Sequence, residues 1–260
     1  MSSIHININP NNTQPAIGHR FIELTETDST NTHAMNQIQA KMAEHGIAYF
    51  AHHQTAGKGR QGKIWHTEPK ANIILSVVLD ASRLKISESF NISIVAALAV
   101  KDLLQQYVSE NICIKWPNDV YYNDSKAAGI LIENKLQGKK WQWSVIGIGV
   151  NINQTQFEKN LLNPVSLSLI TEKKYDAVLL AKDLCSCLEK RYQQLINGNN
   201  QSLLVDYNNC LYKSNQVVKL KKNNIAFNCT IQSVSAQGKL LVSDGLQDEF
   251  DFGEVEWILK

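Results

Sequence analysis

The chain is short of several things, and each shortage excludes something. It has no run of 18 apolar residues, so no membrane-spanning helix is expected. Its N-terminus, "MSSIHININPNNTQPAIGHR", is polar and lacks an apolar segment, so it is not a secretory signal and reads as a loose tail. Charge of one sign is scarce. The 26 Lys and Arg against 24 Asp and Glu leave a net charge of +2, too little to draw nucleic acid by bulk electrostatics. The five cysteines (113, 185, 187, 210 and 229) are odd in number and form no C-x-x-C pair. That argues against a disulfide framework or a metal site, and for buried thiols in a reducing cytoplasm. Internal repeats and low-complexity tracts are also missing.

What is present is a mixture of strand and helix patterns. Hydrophobic residues make up 43% of 260 residues, enough for a core, and the length suits one ordinary domain plus a smaller one. Strand patterns cover 20–24, 47–53, 72–79, 112–116, 126–136 and 141–152, the last two joined as a hairpin. Helix patterns follow "DSTN" at 28–31, run over 87–108 with Ser87 as the expected cap, and run over 176–196 with a shorter helix to about Tyr212. Pro117-Asn118-Asp119 stops the strand before it, and "VYYND" leads into a turn. From residue 215 the texture changes to four short strands divided by turn residues, which predicts a small β-barrel or sandwich. His52 and His53 alternate on a strand and read as structural.

The stretch "GKGRQGKI" (57–64) fits two nucleotide-binding patterns at once. As a P-loop it lacks the hydroxyl after the lysine, since Ile64 stands there. As a dinucleotide fingerprint it lacks the following helix, since Trp65, His66 and Pro69 lead into a strand. Its chemistry survives both objections. Gly57, Gly59 and Gly62 let backbone approach a ligand, and Lys58, Arg60 and Lys63 supply cations suited to a phosphate or carboxylate. The alternative is a solvated basic hairpin.

Two further stretches add weight. "KWPNDVYYNDSKAAGILIEN" gathers Lys115, Asn118, Asp119 and Lys126 around one turn. A lysine at the mouth of an apolar strand pair is costly to desolvate without a negative partner, and a bound anion would be one. The alternative partner for Lys126 is Asp119 or Asp124. In "IGIGVNIN", Gly147 and Gly149 fall on one side of a strand. They leave either a slot for a flat ligand or a place where another backbone packs.

Taken in order, "DSTN", "QTAGKGRQGKIW", "KWPND", "KAAGILIE" and "GIGVNIN" resemble the biotin protein ligases, over residues 21 to about 153. The resemblance implies an α+β fold, with a mixed, mostly antiparallel sheet flanked by helices as in class II synthetases. It implies a polar tail (1–19), a catalytic biotin- and ATP-binding domain (20–212) and a C-terminal SH3-like β-barrel (213–260). The implied reaction is ATP-dependent formation of biotinyl-5′-AMP, then transfer to a lysine of a biotin carboxyl carrier protein. Mg²⁺ is expected with ATP, and its ligands are not readable. A homodimer is possible in the family. The family's DNA-binding segment is not expected here.

The resemblance also distributes roles. Arg60 and Lys126 would neutralise charge during catalysis. Ser29, Thr30, Asn31, Gln54, Gly57, Lys58, Gly59, Gly129, Leu131, Gly147 and Gly149 would join them around biotin. Trp65 would pack on adenine, and Lys115, Asn118 and Asn151 would lie near the nucleotide. Lys58 stands where the family usually has arginine and loses the bidentate fork. Asp119 is expected to stabilise a turn. The rivals are a lipoate–protein ligase of the same fold, needing a longer apolar slot, and a non-catalytic biotin- or nucleotide-binding module.

Overall fold

The computed structural model describes residues 14–158, 161 and 163–258. A seven-stranded sheet runs in the order β1 (Phe21–Leu24), β2 (Ala48–Ala51), β3 (Ile73–Asp80), β7 (Lys140–Val150), β6 (Ser125–Gln137), β5 (Asp119–Tyr122) and β4 (Ile112–Lys115). Only β1 and β2 pair in parallel; the other neighbours are antiparallel. The α+β expectation holds, and no described helix is long and apolar enough to cross a membrane.

The two faces of this sheet differ because β3 and β7 alternate. Ile73, Leu75, Val77 and Leu79 meet helices α2 (Phe90–Gln105) and α4 (Ala177–Ile196) in the main core. α2 is apolar nearly all round and is buried on most sides, as such a helix must be. The opposite face takes α1 (Thr30–Gln39) over Val78, Val145 and Tyr49 at one end. The rest of that face is the floor of a cavity.

A second sheet follows α3 (Leu167–Thr171), α4 and α5 (Asn200–Asn209). Its order is β11 (Glu249–Phe250), β10 (Leu240–Ser243), β9 (Ile225–Val234), β8 (Val217–Lys222), β12 (Glu256–Trp257). The expected barrel is therefore an open sheet. Its outer strands β11 and β12 are two residues each, too short to close it. Leu220, Ile231, Val234, Leu240 and Phe250 belong to the same continuous core as α2.

Other expectations need correcting. Asp119–Tyr122 is a strand, because Val120 and Tyr121 are buried and the segment pairs with β4 on one side and β6 on the other. α2 starts after a short 3-10 turn at Ile86–Glu88, so Ser89, not Ser87, precedes it. The tail's first 13 residues lie outside those described, but residues 14–19 are not loose: Ile17 is buried and its N–H donates to Glu189 Oε2 at 2.8 Å. Of the five free cysteines only Cys185 and Cys229 are buried.

Candidate functional site

The cavity on the open face encloses about 550 Å³. It gathers sixteen of the seventeen candidate residues. The exception is Gly57, buried at the base of the glycine loop, where a side chain would meet the Trp65 carbonyl oxygen 2.3 Å away.

The loop itself is a tight hairpin. Trp65 N–H donates to Gly57 O (2.9 Å), Gly59 N–H to Lys63 O (2.7 Å) and Lys63 N–H to Arg60 O (3.0 Å). Gln61 and Gly62 turn its tip with φ of 53° and 74°. The hairpin carries Trp65 across the sheet, onto a window that glycine alone can leave. Gly129 and Gly149 are direct cross-strand partners. A Cβ on Gly149 would fall 2.4 Å from the Trp65 indole, and one on Gly129 would fall 3.1 Å from it. The slot predicted at Gly147 and Gly149 is thus filled by side chains, not open. Asn31 covers Gly147, where a Cβ would meet its Oδ1 at 2.3 Å. The indole N–H is buried with no acceptor among the described residues.

One end of the cavity is a polar network. Thr30 N–H donates to Gln54 Oε1 at 2.8 Å. Asn31 Nδ2 donates to Glu133 Oε2 (2.7 Å) and Leu131 O (3.3 Å). Ser76 Oγ lies 2.6 Å from Asn31 Oδ1 and 2.7 Å from Thr30 Oγ1. A hydroxyl has one proton, and an amide oxygen only accepts. Ser76 therefore donates to Asn31 Oδ1, and the Thr30 hydroxyl, 3.2 Å from Gln54 Oε1, donates to Gln54 or to Ser76. Ser29, Thr30, Asn31 and Ser76 are all buried, so each polar group needs these partners. Ser76 and Glu133 were not among the sequence candidates. A serine alone inside "IILSVVL" was the available signal.

The other end is cationic. Lys58, Arg60, Lys63, Lys115 and Lys126 face two carboxylates, Asp119 and Glu256. Lys126 Nζ is 2.7 Å from Asp119, which answers the question of its partner and gives Asp119 an ion pair on a strand rather than a turn role. The Lys126 backbone is tied by its N–H to Asn163 O (2.7 Å) and by its carbonyl to Val165 N–H (2.9 Å). Asn151 Nδ2 reaches the Lys126 and Val165 carbonyls. Arg60 Nη1 donates to Asn118 Oδ1 at 3.3 Å, and Asn118 Nδ2 to Ile130 O at 2.7 Å. Burial lowers the Arg60 pKa, with Asp119 opposing. Lys115, at the end of β4, is buried between the Tyr121 and Trp257 rings, 5.3 and 5.1 Å from its Nζ. Burial brings its pKa down to about 8. Five cations on loop and strand ends, facing two carboxylates, make a seat for a phosphate or carboxylate.

A family model described as the biotin/lipoate A/B protein ligase family matches residues 23–151. The biotin–[acetyl-CoA-carboxylase] ligase of Mycobacterium tuberculosis is 32% identical over 189 residues, covering 71% of this chain and 68% of that protein. The chain belongs to this ligase family. The bifunctional ligase/repressor BirA of Bacillus subtilis is 29% identical over 168 residues, 64% of this chain and 51% of its own. The chain therefore spans about half the length of the BirA proteins it matches. The solved biotin protein ligase of Aquifex aeolicus, in complex with biotin and ATP, shares the fold: TM-score 0.76, 23% identity, covering 92% of this chain and 98% of that one. Within the family's matched span lie the polar network, the hairpin, Lys115 and Lys126. The C-terminal sheet that supplies Trp257 and Glu256 lies beyond it.

Proposed function

We propose that the chain is a biotin protein ligase, which joins biotin to AMP from ATP and passes it to a lysine of a carboxyl carrier protein. The observation carrying this reading is one cavity with a buried polar seat at one end and clustered cations at the other. A ureido ring offers two N–H donors and one carbonyl to Ser29, Thr30, Asn31 and Gln54. A dithiolane offers none of these and gains nothing from a polar seat, so lipoate fits less well. At the cationic end the biotin carboxylate attacks the α-phosphorus, an oxygen–phosphorus bond forms, and pyrophosphate leaves. Two anions converge in that step. Lys126 and Arg60 supply the fixed charge that stabilises the pentavalent centre. The carrier's lysine amine then attacks the acyl carbon and AMP leaves. In this reading Trp65 stacks on the adenine. The other roles given above for Lys58, Gly57, Gly59, Lys115, Asn118 and Asn151 stand with this reading, as does a division of the chain near residue 212.

Mg²⁺ favours oxygen ligands and usually arrives on substrate phosphates. The two carboxylates of the cavity are both in ion pairs, Asp119 with Lys126 and Glu256 with Lys221, so this donor set does not by itself hold the ion. The test is pyrophosphate release from ATP with biotin or lipoate supplied in turn. Release with biotin alone is the expected result. Release with lipoate alone selects the rival enzyme, and release with neither selects a binding module.

A further inference from the structure

The cavity's cationic hairpin is held from outside the sheet that bears it, by a residue of the C-terminal sheet. Phe252 sits in the bend between β11 and β12. It is 42% exposed, yet it makes three aromatic or cationic contacts. The Arg60 guanidinium lies over its ring, 4.5 Å from the centroid. The Trp116 indole stacks on it at 5.3 Å and 15°, and Phe90 meets it edge-on at 6.0 Å. Trp116 is fixed in turn, fully buried with its N–H donating to Gly238 O at 2.8 Å. The next residue, Gly253, has φ +83°, and a side chain there would run into Gln61 at the hairpin tip, 2.7 Å away.

Resting on the reading of the chain as a biotin ligase, we infer that Phe252 is a positioning residue for the first half-reaction. Its ring holds the Arg60 guanidinium over the cavity, and so makes the C-terminal sheet the clasp of the catalytic hairpin. The physical case is that Arg60 has only one side-chain hydrogen bond among the described residues, the long contact to Asn118. A guanidinium on a hairpin with left-handed residues at its tip has many rotamers to choose from. A partly buried aromatic face selects one of them. The ring touches no reacting atom, so its effect must pass through Arg60.

Two substitutions separate ring from bulk. Phe252→Leu keeps an apolar side chain and removes the aromatic face; Phe252→Tyr keeps the face. The first readout needs no substrate: hydrogen exchange at the Gly59, Lys63 and Trp65 amides of the free chain. Leu is expected to speed it by about tenfold, the scale of one partly buried cation–π contact, while Tyr stays near wild type and β8–β9 amides are unchanged. The second readout is the escape of free acyl-adenylate before transfer, which should rise severalfold in Phe252→Leu and not further when Arg60→Ala is already present. Equal behaviour of Leu, Tyr and wild type overturns the inference. So does a Leu effect that persists in Arg60→Ala, or one that loosens β8–β9 as much as the hairpin. If the wild type forms no adenylate at all, the functional reading fails, and the exchange measurement still decides the role of Phe252.

Discussion

The two ends of the cavity are built on opposite plans. At the polar end, Asn31 is anchored on a helix, accepts from Ser76 and donates to Glu133 and Leu131, so its amide has nowhere to go. At the cationic end, Arg60 and Trp65 ride on a hairpin, and the lysines outnumber the carboxylates that could hold them. A fully satisfied network specifies a shape and resists change. A cluster of like charges with few partners is completed only when an anion arrives. The first plan suits recognition of a ring; the second suits charge that appears during reaction.

The sharpest break falls at Lys126. Lys126→Ala is expected to slow adenylate formation by about two to three orders of magnitude, the scale of losing one preorganised donor to a transition-state charge. Transfer from supplied biotinyl-5′-AMP should suffer less, because the anhydride already exists. Single-turnover rates of each half check this. Equal slowing of both would make Lys126 a ligand holder in both states.

The next test sets two glycines against each other. Gly147→Ala drives a Cβ into Asn31, whose partners fix it, and should cost about 1–3 kcal/mol of stability as an overpacked site does. Gly149→Ala drives one into Trp65, which the hairpin can carry away. It should leave stability within about 1 kcal/mol and appear instead as weaker nucleotide binding. Chemical denaturation and titration calorimetry distinguish the pair. Equal stability losses would mean that both ends are equally rigid.

Ser76→Ala probes the rigid end more gently. It leaves the buried Asn31 oxygen without a donor, for about 1–3 kcal/mol by denaturation, with adenylation by the surviving fold still measurable. A neutral result would show that the network has slack.

The smallest effect concerns pH. The Lys115 amine, lowered to about 8, is charged below that value and neutral above it. In the unfolded chain it stays charged to its ordinary value near 10.5. Folding is therefore penalised by this group below about pH 8, and stability from it is gained as pH rises from there towards 10.5. An anion beside it reverses the preference. Nucleotide affinity should fall above pH 8 by at most about tenfold per unit, and Lys115→Met should flatten the profile.

How much of this could be read beforehand follows the same division. Glycines, lysines and Trp65 announce themselves locally, because a tight hairpin or an anion seat needs particular residue types at short spacing. The polar end was only half legible. Asn31 stood in "DSTN", but its partners Ser76 and Glu133 lie 45 and 102 residues away, in strands whose patterns signal burial and nothing else. Phe252 and Trp257 carried no signal, since an aromatic in a short strand region looks like core. The strand at Asp119–Tyr122 was hidden by Pro117 and Asn118, which suggested a longer turn. The barrel expectation missed because closure depends on strand length at the edges, which turn residues do not report.

The indole over the Gly129–Gly149 pair has a calorimetric consequence. The floor it covers is partly shielded from water before any ligand enters. A ligand that takes that place exchanges one apolar contact for another rather than stripping water from bare backbone. Binding heat capacity follows the apolar area newly removed from water, so it should be less negative than the area of the bound ring and adenine alone would give. The molecule carries its own dummy ligand, and heat capacity is the quantity in which that substitution shows.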